Sequence, residues 1–187
     1  MVPLTELWLP ILLSAVIVFF ASFAVWTILP HHRKDWRGTP DEPALRAAML
    51  KQQIQPGQYV IPHAADPKGW NSPEMVQKRA EGPVGFLILA SPGKKGMGGS
   101  LVKYFLYCVA LSFFVAYLAG RLLGPGTPYL EVFRAVGTAA FLGYSGAAIP
   151  NAIWFSRSWS STVKEMLDGL AYALLTAGTF GWLWPKG

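Results

Sequence analysis

Residues 7–29, LWLPILLSAVIVFFASFAVWTIL, form a run of 23 residues without a charged side chain. About 20 apolar residues in a helix are enough to cross the hydrocarbon core of a bilayer. Three more uncharged runs follow, at 104–120, 135–156 and 169–185. The pattern predicts an all-α membrane protein with four transmembrane helices, the last of which begins near Thr162.

The composition also favours a membrane location. Only 14% of the 187 residues are charged, whereas a soluble domain averages about 25%. A single cysteine, Cys108, excludes an internal disulfide and any metal site built from several cysteines. Five of the eight tryptophans lie near the ends of the uncharged runs, where interfacial aromatic residues concentrate: Trp8, Trp26, Trp154, Trp182 and Trp184.

The stretch ILPHHRKDWRGTPDE, residues 28–42, ends the first run and begins a basic segment. Lys and Arg number 11 within 30–103 and two within 157–164, but only three in the rest of the chain. Because positively charged loops tend to stay in the cytoplasm, we expect residues 31–100 to be cytoplasmic and both termini to lie outside. Acidic residues are mixed into this segment, so its charge is typical of contact with lipid headgroups rather than with nucleic acid.

We divide the chain into a first transmembrane helix (1–30), a basic cytoplasmic segment (31–100) and a three-helix transmembrane bundle (101–187). Within the cytoplasmic segment the sequence predicts a small α/β insertion. It consists of a helix over 40–54 capped by Thr39, a strand over 58–61, a helix from 71 to about 79, and a strand over 83–90. So few elements form little core, and we expect the insertion to lean on the membrane or on a partner.

Small residues recur every four positions in three of the predicted spans, and such stripes let helix backbones approach closely in lipid. We therefore predict that the second, third and fourth spans pack tightly. The first span has only Ser14 and Ser22 at comparable spacing and should be more peripheral. The stripes are Cys108, Ser112, Ala116 and Gly120, then Ala135, Ala139, Gly143 and Ala147, and finally Gly169, Ala173, Ala177 and Gly181.

Two polar residues are candidates for a role inside the membrane. Asp168 lies about two turns into the fourth helix, and an acid within a span is a functional candidate by default. Alternatively, it lies at the headgroup level and pairs with Lys164 or Arg157. Pro150 should break the third helix and leave Asn151 as a donor to a neighbouring helix.

A metal site has weak support in the sequence. His31, His32, Asp35 and His63 are its only candidate ligands, and zinc needs three or four. Adjacent residues on a helix point about 100° apart, so His31 and His32 should not chelate together. We interpret the pair as the polar collar of a helix that leaves the bilayer. We expect no metal and no cofactor, since no histidine lies within a span to hold a haem.

No motif for phosphate binding is present, because the Gly-rich stretch GKKGMGGS at 93–100 departs from GxxxxGK[ST]. No motif supports nucleophilic catalysis either. We therefore expect no enzymatic activity. The favoured function is an accessory or structural subunit of a larger membrane protein complex, which docks through small-residue helix faces and Trp-rich interfaces. Its partners would be membrane lipids and other membrane protein subunits. The alternative is a small transporter or channel component that uses Asp168 and Asn151.

Four stretches carry a resemblance that covers most of the chain. They are LPHHRKDW (29–36) with PDE (40–42), GPVGFLILASPG (82–93), FLYCVALSFFVAYLAG (105–120) and DGLAYALLTAGTFGWLWP (168–185). Together they resemble a group of uncharacterised small bacterial integral membrane proteins. The resemblance implies a location in the bacterial cytoplasmic (inner) membrane, and it implies no activity.

Overall fold

The computed structural model describes residues 1–93 and 96–187 and is mostly helical. Lys94 and Lys95, which belong to the Gly-rich stretch before the second predicted span, lie outside the described residues. The elements in chain order are α1 Trp8–Thr27, α2 Glu42–Lys51, β1 Gly57–Ile61, α3 Pro73–Glu81, β2 Gly85–Leu89, α4 Gly98–Leu122, α5 Tyr129–Ser145, α6 Ala148–Phe155 and α7 Trp159–Trp182.

Three segments are long and apolar enough to cross a membrane: α1, α4, and α5 together with α6. They correspond to the first three predicted spans. The fourth predicted span lies in α7, a helix of 24 residues that is not among these three segments. It is less apolar than the others because Lys164, Glu165 and Asp168 lie in its first half.

Contacts divide the described chain into two compact units. The first, which we call the helical bundle, contains residues 1–36, 96–152 and 157–187. The second, which we call the insertion unit, contains the described part of 37–95 together with 153–156.

In the helical bundle, α7 packs against α1 and α5, while α4 packs against the same two helices. The core between them includes Leu7, Val132, Val136 and Phe180, all without solvent exposure. The first span is therefore an integral part of the bundle, and the expectation that it is peripheral is wrong.

Two serines explain why the first span packs closely. The hydroxyls of Ser14 in α1 and Ser112 in α4 lie 3.1 Å apart and form a hydrogen bond, and both side chains are fully buried. Polar groups in a bilayer need protein partners because water is absent. Two small hydroxyls supply that partnership and keep the helices close.

The three small-residue stripes are buried to different extents. All four stripe residues of α4 are buried, as are Gly169, Ala173 and Ala177 of α7, whereas Gly181 is half-buried. In α5 the buried residues include two larger side chains, Val132 and Val136, as well as Ala140. Ala139 is half-buried and Ala147 is exposed.

Gly143 of α5 faces α4 rather than α7. A Cβ atom at this position would lie 2.8 Å from Leu111 Cδ1, and the Tyr107 hydroxyl donates a hydrogen bond of 2.9 Å to the Gly143 carbonyl. The residue of α5 that meets Ala177 is Gly137, where an added Cβ would lie 3.3 Å from the Ala177 methyl group. The α5–α7 contact therefore uses a different glycine from the one in the predicted stripe.

The third span is interrupted, but not at Pro150. Helix α5 ends at Ser145, and α6 begins at Ala148. A proline ring collides with the carbonyl of the residue four positions earlier, which here is Gly146. The break therefore lies one turn before the proline.

The insertion unit has the predicted order of helix, strand, helix and strand, which is confirmed. The strands β1 and β2 form an antiparallel two-stranded sheet in which Gly57 pairs with Leu89 and Ile61 with Gly85. The predicted cap of the first helix is wrong. Asp41, not Thr39, accepts a hydrogen bond from the Ala44 amide at 2.9 Å.

Candidate functional site

A tight turn after α1 brings the polar residues of 31–35 back toward the bundle. Residues Pro30–His32 form a single 3-10 turn, and the amides of Arg33 and Asp35 donate to the carbonyls of Pro30 and His32. Proline suits the first position of such a turn because its φ angle is already fixed. The turn sets His31, His32 and Asp35 against the first half of α7.

Five side chains meet there and form what we call the His–Asp–Lys cluster: His31, His32, Asp35, Lys164 and Asp168. Asp168 is the centre, since its Oδ1 lies 3.1 Å from His31 Nε2 and its Oδ2 lies 2.6 Å from His32 Nε2. On the other side of the His32 ring, Nδ1 lies 2.6 Å from Asp35 Oδ2. Lys164 completes the cluster by donating to Asp35 Oδ1 at 2.5 Å and to the His31 carbonyl at 2.7 Å.

The cluster is buried on one side and open on the other. His32 is only 5% exposed, and its ring stacks on Trp26 at a centroid distance of 3.9 Å and an interplanar angle of 2°. Asp168 is 9% exposed. The His31 side chain, by contrast, is 32% exposed, so the cluster is most exposed at His31.

The hydrogen bonds define the protonation state of His32. Both of its ring nitrogens face carboxylate oxygens, and an ionised carboxylate can only accept. With both carboxylates ionised, both nitrogens carry hydrogen and the ring is a cation. Burial opposes that charge, but the hydrogen bonds to Asp35 and Asp168 and their negative charges outweigh it and raise the pKa of His32. The hydrogen bond from Lys164, followed by that from His32, lowers the pKa of Asp35.

The structure changes the interpretation of several candidate residues. Asp168 does not pair with Lys164 or Arg157, because Lys164 binds Asp35 and Arg157 binds Glu165 with an Nη2–Oε1 distance of 2.5 Å. The argument that adjacent histidines diverge is wrong here. The two rings reach separate oxygens of one carboxylate, with centroids 4.2 Å apart.

His63 and Asn151 lie outside the His–Asp–Lys cluster. His63 belongs to the insertion unit, whereas the other three predicted metal candidates belong to the helical bundle. Asn151 is half-buried in α6. Asp35 belongs to the cluster, but it contacts His32 rather than His31.

Comparison of the chain with protein-family models, with curated proteins and with solved structures gives no match. The function of the site must therefore be inferred from its geometry. What the geometry offers is a buried carboxylate held by two imidazoles, one of which is oriented by a second carboxylate. Such a cluster can clamp α1 to α7, and it can also bind a cation.

Proposed function

We propose that this chain is an accessory or structural subunit of a larger membrane protein complex. The helical bundle would anchor it in the bilayer, and the insertion unit would dock a partner subunit. The observation that carries this proposal is the exposed apolar surface of the insertion unit, which Phe155 covers only in part through its contact with Phe86.

That surface begins on the two-stranded sheet. Val60 pairs with Phe86 and Gln58 with Ile88, so these four side chains share one face of the sheet. Phe86 is 46% exposed and Ile88 is 74% exposed. An isolated hairpin is marginally stable in water, and large exposed apolar patches mark interaction sites. The face therefore favours a binding partner.

A groove of about 930 Å³ adds to the apolar surface. It lies between the end of α2 and the residues that follow β2, and Leu50, Ile54 and Leu89 are among its lining residues. A two-stranded sheet also has two edges with unpaired backbone groups, which an extended segment of another protein can pair. Lipid chains offer no such hydrogen bonds, so a protein partner fits this unit better than lipid alone.

For the topology, we propose four spans with α7 as the fourth and both termini outside the cytoplasm of a bacterial cell. The support is the excess of Lys and Arg in 30–103 and the packing of α7 between α1 and α5. In this topology the C-terminal end of α1 and the N-terminal end of α7 lie at the cytoplasmic face, where the His–Asp–Lys cluster joins them. The transporter alternative stays a prediction. Among the described residues, Asp168 binds two histidines and forms no hydrogen bond with Asn151.

The test is a purification of the chain from its native membrane in digitonin, followed by mass spectrometry of the chains that migrate with it. Ile88→Asp should release the partner, because it sets a charge on the proposed docking face. Val76→Asp in α3 is the matched control, since Val76 is also an exposed apolar residue of the insertion unit. A chain that migrates alone, or a partner that both variants retain, would contradict the docking proposal.

A further inference from the structure

We propose that His31, His32 and Asp168 form a binding site for a single divalent transition-metal ion, of which Zn²⁺ is the best fit. The three side chains offer two imidazole nitrogens and one carboxylate oxygen. These ligand atoms all lie within 4.8 Å of one another. Three protein ligands with one open position are the usual arrangement of an accessible zinc site.

The distances are close to those that a metal requires. Ligand atoms at about 2.0–2.2 Å from a tetrahedral Zn²⁺ lie about 3.3–3.6 Å from one another. The Nε2 atoms of His31 and His32 lie 3.1 Å and 2.6 Å from different oxygens of Asp168, Oδ1 and Oδ2, and one ligand atom from each residue lies within 4.8 Å of the others. An ion between them would require the contact between His32 Nε2 and Asp168 to open from 2.6 Å to about 3.3–3.6 Å.

Asp35 and Lys164 provide the support that metal-binding histidines usually have. A histidine that binds a metal through one nitrogen commonly donates its other N–H to a carboxylate, which fixes the ring and its tautomer. Asp35 holds His32 Nδ1 in this way at 2.6 Å. Lys164 in turn holds Asp35 and the His31 carbonyl, so both ligand histidines are positioned by the same side chain.

The charge of the cluster also favours a bound cation. With both histidines neutral, two carboxylates face a single ammonium group, and the cluster carries one net negative charge. A metal ion on His32 Nε2 would leave the hydrogen bond between His32 Nδ1 and Asp35 unchanged.

The ligand types indicate which metal the site would prefer. Imidazole suits Zn²⁺, Cu²⁺, Ni²⁺ and Fe²⁺, whereas Mg²⁺ and Ca²⁺ prefer sites made of oxygen atoms. The open side of the cluster lies at the half-exposed His31, so a water molecule would complete the coordination there. This inference is independent of the proposed partner subunit, because all five residues belong to the helical bundle.

The test measures metal binding by the full chain in detergent, purified through an affinity tag that contains no histidine. After EDTA treatment at pH 8, where protons compete less for the imidazoles, ZnCl₂ should bind in equilibrium dialysis with one equivalent per chain. His31→Ala and Asp168→Asn should abolish this binding. Asp35→Asn should weaken it by ~10–100-fold, as the loss of a supporting carboxylate usually does. His63→Ala should bind like the wild type.

A second measurement keeps the proposal testable if a variant fails to fold. Pulsed EPR of the wild-type chain loaded with one equivalent of CuCl₂ should detect two imidazole ligands. No stoichiometric Zn²⁺ binding by the wild type would overturn the proposal. So would full binding by a folded His31→Ala variant, loss of binding in His63→Ala, or fewer than two imidazoles on Cu²⁺.

Discussion

The packing between α5 and α7 is tested most sharply by replacing glycine with alanine at two positions of α7. A Cβ atom added at Gly169 would overlap the Ser145 hydroxyl of α5 and would lie 3.4 Å from the Tyr144 carbonyl carbon. A Cβ atom added at Gly178 would lie 3.7 Å from the Tyr129 hydroxyl, which is ordinary contact. Gly169→Ala and Gly178→Ala should therefore have different effects.

The difference between the two variants isolates the packing energy. Replacing glycine by alanine within a helix favours folding by ~1 kcal/mol, and this gain is common to both positions. Overpacking at Gly169 costs ~1–3 kcal/mol, so Gly169→Ala should be less stable than Gly178→Ala by that amount. At about 2–4 °C per kcal/mol for a chain of this size, the melting temperatures should differ by about 2–12 °C.

Thermal unfolding in detergent measures this difference, and Ser145→Ala provides a rescue. It removes the hydroxyl that the new methyl group would meet, and the hydrogen bond that is lost, to the Met166 carbonyl, is long at 3.4 Å. Gly169→Ala should then be tolerated much better in the Ser145→Ala background. Equal stability of the two single variants, or strictly additive effects of Gly169→Ala and Ser145→Ala, would refute the packing described for this contact.

Three further predictions concern the cluster and the topology. Asp168→Asn keeps the shape of the side chain but removes a charged acceptor from the buried His32, so it should cost ~1.5–3 kcal/mol of unfolding free energy, whereas the exposed Asp66→Asn should cost almost nothing. In EDTA-treated protein, the raised pKa of His32 means that its stabilisation is complete below its ordinary pKa of 6.5 and is lost as the pH rises through the folded-state value. The lowered pKa of Asp35 means that its contribution is complete above its ordinary pKa of 3.8 and is lost as the pH falls through the folded-state value. Melting temperatures should therefore be highest between pH 3.8 and pH 6.5. A maximum above pH 8 would contradict this. A cysteine at Gly126 should react with an impermeant thiol reagent in intact cells and one at Asp66 should not, and the reverse labelling would invert the proposed topology.

The sequence was sufficient to predict most of the secondary structure, because hydropathy and proline or glycine signals are local. The uncharged runs correspond to α1, α4, the α5–α6 pair and α7, and both strands lie where they were expected. One local error concerns the cap of α2. Asp41 displaces Thr39 as the cap of α2 because the helix begins two residues later than predicted.

The His–Asp–Lys cluster could not be predicted in the same way, because it joins residues about 136 positions apart. A local rule even argued against it, since it treated His31 and His32 as neighbours on a regular helix. A non-local signal was available. In a four-span topology the end of α1 and the start of α7 lie at the same membrane face, and a buried Asp168 needs a donor at that face.

The break between α5 and α6 has a consequence for how the protein enters the membrane. The carbonyl of Gly143 lies close to this break and accepts its hydrogen bond from the Tyr107 hydroxyl of α4. An unpaired carbonyl in hydrocarbon costs several kcal/mol. During biosynthesis, α4 precedes α5 and can offer this hydroxyl as soon as the next span leaves the insertion machinery. The two spans should therefore leave that machinery as a pair, with α4 assisting the entry of its interrupted neighbour.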